Sequence, residues 1–268
     1  MGNMLAIDPN DAIVKCLAQG THARWISSWK ELKNQDTSSP VIFRSMSQRK
    51  TVAACEQENR DYYYIDTGYL GNLEKRKDWH RIVKNGMQHS NVNFELPSDR
   101  FIHLTKHKKY IPFNGWRKTG SNILVVTPSE KPCKFYGINR DKWLEQTVST
   151  LKEFTDRKII VRDKGLRRER IGANNIYNQF VQDNIYAVVT YNSIAATESI
   201  GFGVPCFTLA PNVADPFCLK DLSMIESPLY ADVAKVQKWQ HWLAYCQYTP
   251  EEMQNGTAMK LIRENNLS

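Results

Sequence analysis

Two short segments of this 268-residue chain carry side chains suited to chemistry. The first is Tyr62-Tyr63-Tyr64-Ile65-Asp66-Thr67-Gly68-Tyr69-Leu70-Gly71. It begins as a strand of high β propensity, Tyr62–Ile65, and stops at an aspartate beside two glycines. A carboxylate at a strand's end is placed to take a proton from an incoming hydroxyl, as general-base catalysis requires. The same side chain could instead cap its own turn. His80, His89 and His103 are the weaker alternatives for a base in this half. The second segment is Ile185–Phe207, with a strand over Ile185–Thr190 and a polar break at Tyr191-Asn192-Ser193. A small-residue helix, Ile194–Ile200, follows and ends at Gly201-x-Gly203-x-Pro205. A helix start just after a strand presents free backbone N–H groups to an anion. Ala195, Ala196 and Ser199 let that helix sit close to whatever occupies the turn. The segment therefore reads as a phosphate site for a nucleotide or nucleotide sugar at the edge of a parallel sheet. A plain βα unit with no ligand would have the same pattern.

Two more strand ends should share that edge. One is Thr127-Pro128-Ser129-Glu130-Lys131 and the other Arg162-Asp163-Lys164. Ser129, Lys131, Arg162, Lys164, Tyr191, Asn192 and Ser193 supply the hydroxyls, amides and cations that phosphate oxygens need. Arg162 and Lys164 would neutralise a diphosphate there, a role a metal can also fill. No His/Asp cluster has metal-ligand spacing, so no essential metal is expected.

The net charge is +8, and it is unevenly spread. Residues 75–170 hold 23 Lys/Arg against 10 Asp/Glu, so the flanks are net acidic. A nucleotide donor uses two or three cations. The surplus is either a solvated basic face or a surface for a polyanion such as nucleic acid. Lys75, Arg76, Lys77, Arg81, Lys106, Lys108 and Lys109 are the candidates for such contacts.

The elements that must position these residues follow from periodicity. Residues 5–35 read as helical, with Asp8-Pro9-Asn10-Asp11 as a start signal. Short strands are expected at Val41–Arg44, Tyr62–Ile65 and Trp79–Val83, and a helix at Ser45–Glu58. Asn114–Ser121, with two glycines, reads as a linker. Beyond it strands at Asn122–Thr127, Lys158–Arg162, Tyr186–Thr190 and Cys206–Leu209 alternate with helices at Asp141–Glu153, Asn174–Gln182 and Ile194–Ile200. That alternation predicts a parallel sheet with helices on both faces. The tail Val233–Leu267 reads as helices that bury Trp239, Trp242, Leu243 and Tyr245, with a restart capped by Thr249. Three parts are expected: an α/β domain over 1–115, an α/β domain over 120–232, and helices over 233–268.

The β-strand, Thr190-Tyr191-Asn192-Ser193 turn, Glu198 and Gly203-Val204-Pro205 together resemble the donor-binding unit of GT-B glycosyltransferases. The resemblance implies two Rossmann-like domains facing a cleft, with C-terminal helices crossing back to the first. It also implies that the turn and helix start hold the donor diphosphate and that Glu198 holds the ribose. The Asp-Thr-Gly-Tyr segment, Trp79-His80-Arg81-Ile82-Val83-Lys84-Asn85-Gly86 and Cys246-Gln247-Tyr248-Thr249-Pro250-Glu251-Glu252 are similar to small tailed-phage glycosyltransferases. Some of these transfer a sugar, of the glucose or arabinose class, to 5-hydroxymethylcytosine in duplex DNA. The implied donor is a nucleotide sugar, UDP-linked, and the implied base is Asp66. Such an enzyme must flip the base out of the duplex, at a cost of a few kcal/mol. Two alternatives stay open: a glycosyltransferase with a saccharide or lipid-linked acceptor, and a non-enzymatic nucleic-acid-binding module.

The remaining bulk features bound the setting. No apolar run reaches the length of a membrane span, and the first residues, MGNMLAIDPNDAIVK, have neither a signal-peptide pattern nor the Ser/Thr of a myristoylation site. Six scattered cysteines without a C-x-x-C pair read as reduced thiols. The expectation is a monomer in the cytoplasm, that of the host cell if the chain is phage-encoded.

Overall fold

The computed structural model describes residues 3–70, 78–106, 112–163 and 172–267. Lys75, Arg76, Lys77, Lys108, Lys109 and Lys164 fall outside them. Along the chain run β1 (Leu5–Ile7), α1 (Ala12–Thr21), β2 (Arg24–Ile26), β3 (Val41–Arg44), α2 (Arg49–Gln57), β4 (Tyr62–Thr67) and β5 (His80–Lys84). Then come α3 (Asp99–Lys106), β6 (Asn122–Val126), α4 (Glu130–Tyr136), α5 (Arg140–Phe154), β7 (Lys158–Arg162), α6 (Ile176–Gln182) and β8 (Ile185–Thr190). The rest is α7 (Ala195–Phe202), β9 (Cys206–Thr208), β10 (Cys218–Leu219), α8 (Val233–Tyr245), β11 (Gln247–Tyr248), α9 (Pro250–Gln254) and α10 (Thr257–Glu264).

These elements form two compact α/β units. Of the described residues, 3–69, 78–91 and 245–267 make the first, and Leu70 with 92–244 the second. The first unit holds a sheet in the order β11-β5-β4-β3-β1-β2. Strands β1 to β4 are parallel, while β5 runs antiparallel to β4 and β11 antiparallel to β5. Helix α1 starts where the Asp11 carboxylate accepts the Ile13 and Val14 N–H groups at 2.9 and 3.1 Å. It ends at His22, which takes a left-handed conformation with φ +54°. Val14, Leu17 and Ala18 of α1 share a core with Ile42, Tyr63, Ile65 and Ile82 of the sheet and Met253, Ala258, Met259 and Ile262 near the C-terminus. Contact between α1 and α9 needs Gly20, because a Cβ there would lie 2.0 Å from the Met253 carbonyl oxygen. The restart at Thr249 is a full capping box with Glu252.

One continuous helical region over 5–35 is not what forms. Only Ala12–Thr21 is α-helix, and the three-residue strands β1 and β2 flank it. Asp11 is a true N-cap, but what precedes it is a turn at 8–10 and the strand β1, too short to show a period of its own.

The second unit holds a five-stranded, all-parallel sheet in the order β10-β9-β8-β6-β7 among the described residues. Every residue of β8 is buried, as a central parallel strand covered on both faces requires. On one face Trp143 and Leu151 of α5 pack on Ile123, Val125, Ala187 and Val189. From β6 the chain steps outward to β7, then returns past β6 to β8 and continues to β9 and β10. Right-handed crossovers therefore put α6 and α7 on the other face, and the strand order reverses between β6 and β8.

The structure assigns two segments differently from the boundaries expected at 115–120 and 233. Residues 92–106 and 112–113 pack in the second unit, where the Phe113 N–H donates to Gln240 Oε1 at 3.0 Å and Phe101 meets the His241 ring at 5.3 Å. Helix α8, all but its last residue, also belongs there, with the Trp239 indole N–H on the Val213 carbonyl at 3.2 Å. Only β11, α9 and α10 return to the first unit. The expected linker is packed as well. Gly203 has φ +85°, and a Cβ on it would lie 2.2 Å from the Gly115 carbonyl oxygen.

Candidate active site

In the second unit the strand carboxyl ends bring together the loops after β6, β7, β8 and β9, because all are parallel. In such sheets ligands bind where the strand order reverses, here between the end of β6 and the end of β8. The turn after β8 is rigidly built. The Ser193 hydroxyl accepts the Ala195 N–H at 3.2 Å, and the Ser193 carbonyl accepts the Ala196 N–H at 3.1 Å. Asn212 clamps the same carbonyl from the loop after β9, at 3.2 Å. Asn192 is buried, and Tyr191 lies between the edges of other rings. Ser129 occupies the residue just before α4, and Lys131 sits exposed in its first turn.

Arg162 ends β7 but is not loose in the loop. Its guanidinium donates to Gln179 Oε1 of α6 and to the Asn174 carbonyl. Burial pulls its pKa down, and the carboxylates of Glu198 and Asp183 pull it back up. Arg162 and Glu198 thus lie within electrostatic reach of each other on the α6–α7 side. Arg140 pairs with Asp163, the next residue after β7. Lys164 is outside the described residues.

In the first unit the strand order reverses between β1 and β3. Here Arg44, the last residue of β3, meets Asp11 at 2.9 Å. Desolvation pushes the Asp11 pKa up, but the Val14 N–H and Arg44 outweigh it and hold the carboxyl below its ordinary value. Asp8 and Ser45, just past β1 and β3, have φ +74° and +79°. Left-handed backbone in residues other than glycine costs energy and gathers at functional sites. Sequence reasoning passed over Asp11 as a ligand-edge residue and missed Arg44 and Ser45. The available signal was that Arg44 ends and Ser45 directly follows a short apolar strand, while Asp11 stands four residues beyond β1 as a helix cap.

Asp66 lies in the last two residues of β4, one strand further along. Its Oδ2 accepts the Tyr64 phenol at 2.6 Å and Arg81 Nη2 at 3.4 Å, and its Oδ1 accepts the Thr67 N–H at 2.7 Å. The side chain is one-third exposed. The Thr67 contact is to the adjacent N–H inside β4, one residue short of the reach of a turn cap, and Asp66 still presents a carboxylate to solvent.

Arg81 is not a phosphate ligand. Its side chain is 4% exposed, donates to the Thr67 carbonyl at 2.7 Å and the Met87 carbonyl at 3.3 Å, and lies over the rings of Tyr64 and Tyr69. A guanidinium so enclosed cannot reach a nucleic-acid backbone. It serves Asp66 instead. Lys106, by contrast, is exposed in the last turn of α3.

The histidine alternatives weaken for the same reason. His80 and His89 are each 1% exposed. His89 is tied to the Tyr69 hydroxyl through both Nδ1 and its backbone N–H, at 3.1 Å each. Burial, with the charge of Arg81 second, pushes its pKa down to about 3. His103 is exposed on α3, in the second unit.

No protein-family model matches this sequence, and no curated protein does. Solved structures do match it. Thermosulfurimonas dismutans KpsC, beta Kdo 2,7 transferase, is similar with a TM-score of 0.52 at 9% identity, over 98% of this chain and 99% of that one. Thermosulfurimonas dismutans KpsC, beta Kdo 2,4 transferase, is similar with a TM-score of 0.52 at 12% identity, over the same shares of both chains. At such identities the likeness concerns the fold, which is a GT-B-like glycosyltransferase fold of two α/β units. Nothing in these neighbours points to a phage DNA-modifying subtype.

Proposed function

We propose that this protein is a glycosyltransferase that moves a sugar from a nucleotide-sugar donor to a saccharide acceptor. The observation that carries the reading is the full-length likeness to two structures named as Kdo transferases. The second unit's strand-order reversal, with a phosphate-suited turn beside it, supports a donor site there. In this reading the side chains of Asn192 and Ser193 hold the diphosphate, since Ser193 already takes the Ala195 and Ala196 N–H groups. Arg162, Lys164, Ser129 and Lys131 add charge and hydroxyls, Glu198 holds the ribose, and Tyr191 walls the turn. Asp66 removes the acceptor's proton as the hydroxyl attacks the anomeric carbon. The leaving diphosphate is neutralised by cations, so transfer proceeds without a divalent metal.

A second reading keeps the donor site and takes 5-hydroxymethylcytosine in duplex DNA as acceptor. The excess of Lys/Arg over residues 75–170 favours it.

One experiment separates the two. The protein is incubated with UDP-, GDP-, CMP- and ADP-linked sugars, with oligosaccharides or hydroxymethylated duplex DNA, and with or without a chelator. Products are read by mass spectrometry. Glycosylated oligosaccharide at undiminished yield in chelator is expected. Glycosylated nucleoside instead would move the acceptor to DNA. DNA affinity should then fall with salt. Removing Lys75, Arg76 and Lys77 together, or Lys106, Lys108 and Lys109 together, should lower the log–log slope by about 1 for each phosphate left without its cation. No transfer from any donor would end the enzymatic reading.

A further inference from the structure

Four aromatic rings gather where β6 and β8 end. Phe135 and Tyr136 close α4, which follows β6 directly, and their ring centres are 4.9 Å apart. Tyr191, the first residue after β8, lies 5.8 Å from Tyr136 and 6.3 Å from Trp143 of α5. The cluster therefore joins the two loops between which the strand order of the second unit reverses.

Its members differ in exposure. Trp143 is 8% exposed and anchors the cluster in the core, whereas Tyr136 is 37% exposed. Phe135 and Tyr191 stand at 75° and 62° to the Tyr136 plane, so neither of them stacks parallel upon it. The result is a ring braced by its neighbours and wetted at the sheet edge. A single exposed aromatic needs no explanation. One braced against the residue that opens a phosphate-suited turn does, because Tyr191 is bonded directly to Asn192.

A nucleotide held by its diphosphate at Asn192 and Ser193 has its base one ribose away. That base is a flat π surface, and it gains most from a flat, pre-positioned ring. We propose that Tyr136 is the platform on which the donor's nucleobase stacks, with Tyr191 and Trp143 bracing it. Every base has a π face, so this contact supplies affinity and leaves the choice among bases to other groups. The proposal rests on the nucleotide-sugar reading above.

Calorimetry on the full chain tests it. UDP, GDP, CMP, ADP and inorganic pyrophosphate are titrated into the wild type, Tyr136→Phe and Tyr136→Ala. A partly exposed residue at a helix end allows truncation with the fold kept, which the melting temperature checks. Tyr136→Ala is expected to weaken the preferred nucleotide by about 10-fold and leave pyrophosphate unchanged, since stacking acts on the base alone. Tyr136→Phe keeps the ring and should bind as the wild type does. Equal nucleotide affinity in wild type and Tyr136→Ala would overturn the platform and leave the donor site standing. An equal loss for pyrophosphate would also overturn it, by showing that the ring shapes the phosphate turn. Binding of pyrophosphate but of no nucleotide by the wild type would overturn both.

Discussion

The phenol oxygen of Tyr64 lies 2.6 Å from Oδ2 of Asp66, two residues along the same strand. Residues two apart in a strand share a face, so the aromatic run leading into Asp66 is also its support. Arg81 reaches the same oxygen from β5, where it is Asp66's cross-strand partner. Phenol and guanidinium together fix the rotamer of the carboxylate. Both donate to its ionised form, the form that accepts a proton.

Asp66→Asn is expected to lower turnover roughly 10²–10⁴-fold, the usual yield of general-base catalysis, with nucleotide affinity intact. Tyr64→Phe removes one oxygen and should lower turnover by less. Steady-state kinetics beside calorimetry check both. Turnover within a few-fold of wild type in Asp66→Asn would reduce Asp66 to a structural acceptor for Tyr64, Arg81 and the Thr67 N–H.

Arg81→Met should destabilise the first unit. The substitution leaves Asp66 without its cation and strands the Thr67 and Met87 carbonyls. Removing one partner of an enclosed ion pair costs about 3 kcal/mol or more. Asp66 is partly wet, which places the expected loss at the low end of that range. Urea unfolding reads it directly, and a shift below ~1 kcal/mol would contradict the burial argument.

Stability should fall in mild acid through His89. Its ordinary pKa is 6.5, and burial lowers it to about 3 in the folded chain. The unfolded chain therefore takes up the proton first as pH drops. The contribution of the neutral ring is complete above about 6.5 and is lost as pH falls from there toward 3, at ~1.4 kcal/mol per unit for one proton. Denaturation midpoints between pH 7 and 5 read the effect before most carboxylates titrate, with His241, also lowered by burial, adding a slope of the same sign. His89→Gln should flatten the slope.

Arg162→Ala is expected to weaken nucleotide binding about 10- to 100-fold, as a charge-assisted hydrogen bond of roughly 1.5–3 kcal/mol implies. The bonds of Arg162 to Gln179 and Asn174 give it a structural task too, so Gln179→Ala is the control. Loss of affinity in both variants, with a lowered melting temperature, would make Arg162 a brace for α6 and nothing more. Glu198→Gln should weaken nucleoside diphosphates and leave pyrophosphate unchanged. Equal affinity for nucleoside diphosphates would return Glu198 to a purely helical role.

The second unit was legible because its inner strands are buried and its edge strand β7 is still an unbroken apolar run between charged residues. Lys158–Arg162 forms as expected, and Ile185–Thr190 and Cys206–Thr208 lie within a residue of their expected ends. Continuous apolar runs between polar turns mark such strands without alternation. The first unit was harder. β1 and β2 are three residues each, and β11 is two, so their place comes from pairing partners distant in sequence. Among the candidate residues, the turn at Asn192 was readable as a polar break after a strand and Asp66 as a carboxylate near a strand's end. The reversal of Arg81 from surface cation to buried support was not. Nothing local distinguishes its basic side chain from Lys84, three residues on, which pairs at the surface with Asp61.

The core shared by α1 with Met253, Ala258, Met259 and Ile262 sets an order of maturation during synthesis. Residues 92–244 form a unit nearly continuous in sequence, and it can close as soon as it leaves the ribosome. The unit begun earlier cannot. Its sheet lacks the edge strand β11, and α1 lacks its partners, until residues 245–267 emerge. The unit begun first is therefore the later to lock, and the surroundings of Asp66 are complete only once residues 245–267 have been made. A nascent chain stopped after Ala244 should yield protease-resistant fragments from 92–244 and none from 3–69. Protection of both would show that the first unit matures without its C-terminal partners.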